Sequence, residues 1–525
     1  MRPLTRPSAV ARTIGKATED PEEGTLALAA QLARGGGVAG LGTAVGKALQ
    51  LGFHVLLGRM LGAAGYGLFA LGFAAFQIAG QLAMGGLQHG LVRFIGADRA
   101  RGNPGGIRAT WGSALQIGTA FSLFAGAILF LTAPFLAATA FNKPELASIL
   151  RGFAVAIPPF VWLQLSAHTA RGAERVGQYT GLAHLLLPSA NFLFVGGAFL
   201  LGYRLSGAVW GYVLSVSLCA AAALALTRIW VRRLLPMQGS RKRTRDLLRF
   251  SCILVPHDVG MYILSQTGPF IIGALLAADR VGVYSAASRV AVQLGMVFTA
   301  LNLVFAPMIS RLWSAGRVSE LGDTLRTLTR WAVTLTIPGA LVLVLLSKWI
   351  MALYGTEFAS GTIALGVLVF GQLANVATGS VGLVLLMCGR QKVELGNVFG
   401  MLAIQVILQV VLVRSYGILG AAIASALAIG LVNGVRVLEV RLFLGIHPYS
   451  RRILIPLLAG FVAAGVAAAV LLLLHWHELA ALGVSTGTYL IALLIAGFSP
   501  IDRALLRSLA RRSSHSADAT GGAEN

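Results

Sequence analysis

Acidic residues and cysteines are scarce in this sequence. The 525 residues include 19 aspartates and glutamates, against 42 lysines and arginines, and three cysteines. The cysteines, at positions 219, 252 and 388, show no paired spacing and have no cluster of histidines and carboxylates around them. A disulfide framework and a metal site are therefore not expected. Because the phosphate-binding loop of nucleotide-driven pumps is also missing, we expect neither a cofactor nor an enzymatic reaction.

Charge of either sign is sparse. Charged residues make up 12% of the chain and hydrophobic residues 56%, with a mean hydropathy of +0.78, whereas soluble domains are about 25% charged. A net charge of +23 would by itself favour nucleic acid as a partner. The excess is spread over short gaps between long apolar stretches, and no aromatic-basic motif accompanies it. We therefore expect the lipid bilayer as a partner and no nucleic acid.

The lysines and arginines are crowded into every second gap between the apolar stretches. The alternate gaps hold only Arg59, Lys143, Arg204, Arg280, Lys348 and Arg414. Lys and Arg residues that flank membrane spans remain in the cytoplasm. The pattern therefore predicts a multi-pass membrane protein with both termini in the cytoplasm.

Fourteen stretches are long enough to cross a bilayer as helices, which takes about 20 apolar residues each. They lie near 36–58, 66–86, 109–135, 147–168, 179–201, 205–228, 250–274, 281–305, 329–348, 361–387, 395–413, 417–438, 453–474 and 479–499. The predicted fold class is an all-α polytopic membrane protein. Its expected parts are a cytoplasmic tail at 1–33, an N-lobe at 34–230, a cytoplasmic linker at 231–248, a C-lobe at 249–440, two further helices at 441–500 and a cytoplasmic tail at 501–525.

An internal repeat relates the two lobes. The segment GRMLGAAGYGLF, which begins at Gly58, matches GALLAADRVGVY, which begins at Gly273, at an offset of 215. The segment SGAVWGYVLS from Ser206 matches LGAAIASALA from Leu419 at an offset of 213. Each repeat then holds six helices, and an even number gives both repeats the same orientation. We expect two parallel six-helix lobes related by an axis along the membrane normal.

These segments carry a resemblance to a known family. With VGVYSAASRVAVQLGMVFTALNLVFAPMISRLWSAGR from Val281 and with LLMCGRQKVELGNV, they resemble Wzx-like polysaccharide flippases of the multidrug/oligosaccharidyl-lipid/polysaccharide exporter superfamily. The motifs follow the family's order over about residues 33–500. The resemblance implies two six-helix lobes around a central cavity, alternating access and a lipid-linked oligosaccharide as cargo. A polysaccharide polymerase is a candidate partner.

Few lysines, arginines and acidic residues lie inside the predicted spans, away from the span ends. They are Lys47 in span 1, Arg151 in span 4, Arg289 in span 8, and Asp258 in span 7 with His257 beside it. Such residues usually face a cavity and mark a functional site. Three bases against one acid favour an anionic cargo such as the diphosphate that joins lipid to sugar, because Arg binds phosphate bidentately and Lys acts as a point charge. Arg151 could instead snorkel to the surface, and Asp258, with His257, could pair with a base or bind a coupling ion.

Amide side chains within the spans are candidate sugar ligands, since an amide donates and accepts hydrogen bonds at once. Gln77 and Gln81 are four residues apart on one face of span 2, and Asn302 lies in span 8. Hydrogen bonding between helices is the alternative role for each of them.

The resemblance, together with the bases in the spans, implies a flippase of the bacterial inner membrane. It would move a polyprenyl-diphosphate-linked oligosaccharide from the cytoplasmic to the outer leaflet by alternating access, for O-antigen, exopolysaccharide or capsule synthesis. Three alternatives remain open. A flippase for the peptidoglycan lipid precursor would also have fourteen spans and a basic cavity. A cation-coupled multidrug exporter would have twelve spans and acidic residues in its cavity. A scramblase or assembly scaffold would not depend on an ion gradient.

Overall fold

The computed structural model describes residues 21–233, 243–473 and 477–496, and most of these residues are helical. The first half contains α1 (Pro21–Met84), α2 (Leu87–Ala100), α3 (Pro104–Phe135), α4 (Leu146–Gly172), α5 (Val176–Leu200) and α6 (Leu205–Arg233). The second half contains α7 (Thr244–Leu275), α8 (Ala278–Val292), α9 (Gly295–Ser314), α10 (Val318–Leu345), α11 (Ser347–Tyr354), α12 (Thr362–Ala377), α13 (Val381–Met387), α14 (Gln391–Leu444), α15 (Leu454–Leu473) and α16 (Glu478–Ala496). The predicted tail at 501–525, and parts of the predicted tail at 1–33 and linker at 231–248, lie outside the described residues.

The described helices account for the predicted spans. Ten of them are long and apolar enough to cross a membrane, or 12 when two bent pairs are each taken as one span. Two of these, α1 and α14, each contain one non-helical glycine, Gly62 with φ 67° and Gly417 with φ 57°, a conformation that glycine adopts readily. The 54 residues of α14 would reach about 80 Å if straight, against a hydrocarbon core of about 30 Å. Dividing both helices at their glycines gives fourteen segments, and the all-α polytopic fold is confirmed.

Three details differ from the predicted spans. The helix α1 already begins at Pro21, so that residues 21–33 of the predicted tail are helical. Predicted span 10 is divided into α12 and α13 near Gly379, whose φ is 72°. The predicted gap after span 2 contains the helix α2. Leu87, Leu91 and Ile95, spaced four residues apart along α2, are fully buried. This narrow apolar stripe packs α2 against the other helices, although the segment as a whole is too polar to be predicted as a span.

The two halves meet at a pair of glycines, Gly67 in α1 and Gly282 in α8. A Cβ atom on Gly67 would lie 1.8 Å from the carbonyl oxygen of Ala278, and one on Gly282 would lie 2.1 Å from that of Ala63. In the repeat, Ala278 is the counterpart of Ala63 and Gly282 that of Gly67. Contacts exchanged in this way are the signature of a two-fold axis. The axis that relates the two halves therefore passes between the two glycines.

We call this part of the molecule, where the kink of α1 meets the α7–α8 turn, the crossing end. Lys143 Nζ donates hydrogen bonds here to the carbonyl oxygens of Gly273 and Leu276, at 2.6 and 2.9 Å. Partial burial lowers the pKa of Lys143 from its ordinary value. Glu357 Oε2 accepts a hydrogen bond of 2.7 Å from the backbone N–H of Ala63. Both side chains satisfy helix ends of the opposite half, whose terminal backbone groups have no partner within their own helix.

The opposite end of the bundle, between the end of α6 and the start of α7, is the linker end. Arg243 Nη1 lies 2.6 Å from Oδ2 of Asp98 in α2, and the Asp98 side chain is fully buried. Arg93 in α2 places its Cζ 4.3 Å from the ring centroid of Phe250 in α7. The first half therefore contacts the second half at both ends of the bundle.

Candidate functional site

Arg289 lies in α8 and faces the first half of the molecule. Its Cζ is 5.3 Å from the ring centroid of Phe73 in α1. It is also within electrostatic range of His54 and Tyr66 in α1 and of Tyr354 in α11. The side chain is only partly buried, and no acid in the described part of the chain forms an ion pair with it. A positive charge without a carboxylate partner therefore lies between the halves, about 16 Å along α8 from its start.

Lys47 lies on the same face of α1 as His54, because seven residues make nearly two helical turns. At this level α1 packs closely on the π-helical turn of α5, since a Cβ atom on Gly46 would lie 2.3 Å from the carbonyl oxygen of His184. Lys47 is partly exposed and has no hydrogen bond or ion pair with a described residue. It lies about 22 Å of helix from the kink of α1. Lys47 lies within electrostatic range of His184 in α5, so Lys47 and Arg289 lie at different levels of the bundle, with Arg289 nearer the crossing end.

Two other candidates have partners elsewhere. Arg151 is exposed, and its Cζ lies 5.4 Å from the ring centroid of Phe130 on the neighbouring helix α3. This position near the start of α4 fits the snorkelling alternative. Asn302 Oδ1 accepts a hydrogen bond from the hydroxyl of Ser380, at the break before α13. That contact is of the interhelical kind that was the alternative role for Asn302.

The two glutamines are placed differently. Gln77 is partly exposed and Gln81 is 8% exposed, both in the second segment of α1. Within the described part of the chain, neither amide forms a hydrogen bond. Both amides therefore keep their capacity to donate and accept for a ligand.

Asp258 connects α7 to the first half. Its Oδ2 accepts hydrogen bonds from Nε2 of Gln88 at 2.7 Å and Nε2 of His89 at 2.8 Å, both in α2. Its Oδ1 lies 3.5 Å from Nδ1 of the adjacent His257, and His168 in α4 is within electrostatic range. Among the described ion pairs, those of Asp258 are with histidines, and none involves the three bases in the spans. Asp258 is therefore part of the contact between the halves at the linker end.

The sequence analysis did not single out His54, Tyr66, Tyr354, Gln88 or His89. The spacing of His54, seven residues after Lys47 in one apolar span, was the one local signal that could have found any of them. Tyr354 reaches Tyr66 only because the two halves pack together, and no local pattern reports such a contact. Gln88 and His89 lie in a segment that was predicted to be a loop.

Two parallel repeats with a base between them are an arrangement that occurs in membrane transporters. Among solved structures, the chain is similar to the lipid II flippase MurJ in an inward closed conformation, with a TM-score of 0.68 and 14% identity over 87% of this chain and 97% of that chain. It is also similar to an inward-facing multidrug resistance MATE family transporter of the MOP superfamily, with a TM-score of 0.61 and 16% identity over 76% and 94% of the two chains. The chain thus has the same fold as these two proteins.

Sequence comparison shows the family. The model of the polysaccharide biosynthesis protein family matches residues 32–313, more than half of the chain, and the chain belongs to this family. A similar protein of Haloferax volcanii, the probable low-salt glycan biosynthesis flippase Agl15, is 26% identical over 267 residues, which are 50% of this chain and 55% of that protein. The probable flippase AglR of the same organism is 29% identical over 175 residues, or 32% and 36% of the two chains. The chain thus spans about half or less of these relatives' length, and the predicted resemblance to polysaccharide flippases is confirmed.

Proposed function

We propose that the protein is a flippase for a polyprenyl-diphosphate-linked oligosaccharide. It moves the cargo from the cytoplasmic to the outer leaflet of the bacterial inner membrane, for the synthesis of O-antigen, exopolysaccharide or capsule. The observation that carries the proposal is the pair of bases in the spans, Lys47 and Arg289, which have no acidic partner among the described residues. Membership of the polysaccharide biosynthesis protein family supports the glycan as cargo.

The diphosphate is the part of the cargo that these bases would bind. At an effective dielectric constant of about 20, one charge pair 4 Å apart is worth roughly 4 kcal/mol before desolvation. The Arg289 guanidinium can bind two phosphate oxygens at once, whereas Lys47 supplies a point charge. Gln77 and Gln81 are the amides with free capacity for sugar hydroxyls. The lipid tail would stay in the bilayer beside the bundle.

Alternating access requires that one end of the bundle is open while the other end is closed. The distribution of Lys and Arg supports a cytoplasmic linker end, so we expect the cargo to enter there and to leave at the crossing end. Because the halves contact each other at both ends, each step requires the contacts of one end to separate while those of the other end persist.

The multidrug exporter is less well supported. Such an exporter was expected to have twelve spans, whereas the helices of the described residues divide into fourteen segments. It would also need an acid to attract a cationic drug, and Asp258 is already engaged by Gln88 and His89. The peptidoglycan precursor carries the same diphosphate, so the bases in the spans do not distinguish it from the proposed cargo. The experiment below distinguishes the two.

The proposal is tested by following lipid-linked glycan on the cytoplasmic face of cells that carry Lys47→Ala or Arg289→Ala. We expect export to fall at least about tenfold, because a loss of about 1.4 kcal/mol is enough for that. Arg289→Lys should retain part of the activity if charge alone matters, and little if the bidentate fork matters.

The matched control is Arg280→Ala. Arg280 is on the same helix as Arg289 but is exposed and paired with Asp279, so export should stay at the wild-type level. Normal export at normal protein levels in both the Lys47 and the Arg289 variants contradicts the proposal. Cells depleted of their own flippase for the peptidoglycan precursor test the alternative cargo. If the protein restores export of this precursor in such cells, the precursor is its cargo.

A further inference from the structure

Four polar atoms without a hydrogen-bond partner lie together between the two halves. They are Nδ1 of His54, Oη of Tyr66, Oη of Tyr354 and Nε of Arg289. His54 is 3% exposed and both tyrosines are 0% exposed. His54 and Tyr66 belong to α1, whereas Tyr354 belongs to α11 and Arg289 to α8. Each half of the molecule therefore contributes two of the four.

Ring contacts hold these side chains in one group. The ring centroid of Tyr66 is 6.1 Å from that of His54 and 6.0 Å from that of Tyr354. His54 is 6.1 Å from Phe73, the ring that Arg289 covers at 5.3 Å. Arg289 lies within hydrogen-bonding range of the Tyr66 hydroxyl and within electrostatic range of Tyr354, although neither hydroxyl has a partner that meets strict hydrogen-bond geometry. These contacts bring the four side chains together where the two halves meet.

The group is rich in donors and in positive potential. Buried polar atoms are nearly always hydrogen-bonded, and an unpaired one is costly. The guanidinium and both hydroxyls can donate, and no described carboxylate pairs with Arg289. Aromatic rings, whose edges carry partial positive charge, surround the hydroxyls; the Phe358 centroid is 5.9 Å from Tyr66 and 5.5 Å from Tyr354. The complementary ligand is an anion with several acceptor oxygens.

We propose that His54, Tyr66, Tyr354 and Arg289 form an anion site shared by the two halves, and that its ligand is the diphosphate of the cargo. The inference rests on the proposed function and extends it, since it adds two hydroxyls and an imidazole to Arg289. Because each half supplies ligands, the bound diphosphate bridges the halves near the crossing end. Opening of that end separates Tyr66 from Tyr354 and releases the cargo.

Tyrosine-to-phenylalanine substitutions test the site, because they remove only the hydroxyls and keep the ring packing. Thermal unfolding of the purified full-length protein is measured with farnesyl diphosphate, sodium pyrophosphate or sodium chloride at matched ionic strength. We expect farnesyl diphosphate to raise the Tm of the wild type by mass action. The Tyr66→Phe/Tyr354→Phe double variant should bind it at least about tenfold more weakly, since each hydroxyl donates to a charged group. Its Tm without ligand should equal or exceed that of the wild type, because two unpaired hydroxyls are gone.

The matched control is Tyr489→Phe. Tyr489 is also buried, but its hydroxyl donates a 2.9 Å hydrogen bond to the carbonyl oxygen of Thr334, between α16 and α10. This variant should lose stability without ligand and keep the full Tm shift with farnesyl diphosphate.

Three results would overturn the inference. In the first, the double variant keeps the wild-type shift with farnesyl diphosphate while the wild type exports glycan; the site then fails and the proposed function stands. In the second, the double variant is destabilised without ligand as much as Tyr489→Phe, which would show that the hydroxyls have partners in the fold. In the third, sodium chloride gives the same shift as farnesyl diphosphate, which would make the ligand an inorganic anion. A wild type that neither responds to farnesyl diphosphate nor exports glycan overturns the proposed function itself.

Discussion

The two ends of the bundle join the same two halves by different chemistry. At the crossing end, backbone meets backbone at Gly67 and Gly282, and Lys143 and Glu357 bind backbone groups of the opposite half. At the linker end, side chains meet side chains. Asp98 pairs with Arg243, Asp258 accepts hydrogen bonds from Gln88 and His89, and Arg93 covers the ring of Phe250.

The difference means that the two ends should respond to different perturbations. Close packing of two backbones depends on the size of the residues between them, because a tightly packed contact tolerates little added volume. Ion pairs and polar side-chain contacts can be replaced by water one at a time, and salt screens the exposed ones. We therefore expect the crossing end to be sensitive to side-chain size and the linker end to be sensitive to charge.

The largest effect should come from adding one methyl group at the crossing end. Gly67→Ala and Gly282→Ala each place a Cβ atom about 2 Å from a backbone carbonyl oxygen of the other half. The backbones would have to move apart, and we expect a loss of at least about 3 kcal/mol of stability for each, the upper part of the range for overpacking. Thermal unfolding of the purified protein is the measurement.

The comparison between the two variants sharpens this prediction. Because a two-fold axis relates the two glycines, both substitutions should cost about the same, and strongly unequal losses would argue against the axis. Gly366→Ala is the matched control, since nothing lies within 4 Å of its added Cβ. That substitution should be neutral or stabilising, as alanine favours a helix over glycine by about 1 kcal/mol.

A smaller effect is expected from breaking the ion pair at the linker end. Arg243→Ala leaves the fully buried Asp98 carboxylate without its charged partner, and we expect a loss of about 2 kcal/mol. Raising the salt concentration should reduce the difference from the wild type, because Arg243 is 26% exposed. The exposed pair Arg317–Glu320 provides the control, and Arg317→Ala should cost no more than about 0.5 kcal/mol. A neutral Arg243→Ala would mean that water satisfies Asp98.

The span positions could be predicted from the sequence because a membrane helix is specified locally, by the length and composition of one stretch. The repeat was visible for a similar reason. Gly67 and Gly282 must both be glycine for the backbones to approach, so they persist at a constant offset while larger side chains around them differ. The fold class and the repeat follow from these two local signals, whereas the contact between the halves at Gly67 and Gly282 is seen only in the structure.

The composition of the site could not be predicted in the same way. In a bilayer, residues that face lipid and residues that face another helix are both apolar, so hydropathy does not reveal which face of α1 meets α8. His54 and Tyr66 are therefore indistinguishable from packing residues until Tyr354 and Arg289 are placed beside them. The contacts of Asp258 could not be predicted either, since its partner His89 lies in the short helix α2, which the sequence analysis predicted to be a loop.

The smallest effect should come from Asp258, and it decides between the two roles that the sequence left open. Asp258→Asn keeps the size of the side chain and a bond to Gln88, but weakens the bond to His89 by removing the carboxylate charge. If Asp258 joins the halves at the linker end, we expect a loss of about 1 kcal/mol of stability with export still measurable. The same substitution in a His89→Ala background should then cost much less, because the shared contact is already gone. Loss of export at wild-type stability would instead indicate that Asp258 binds a coupling ion. The linker end would then take part in transport and not only in the contact between the halves.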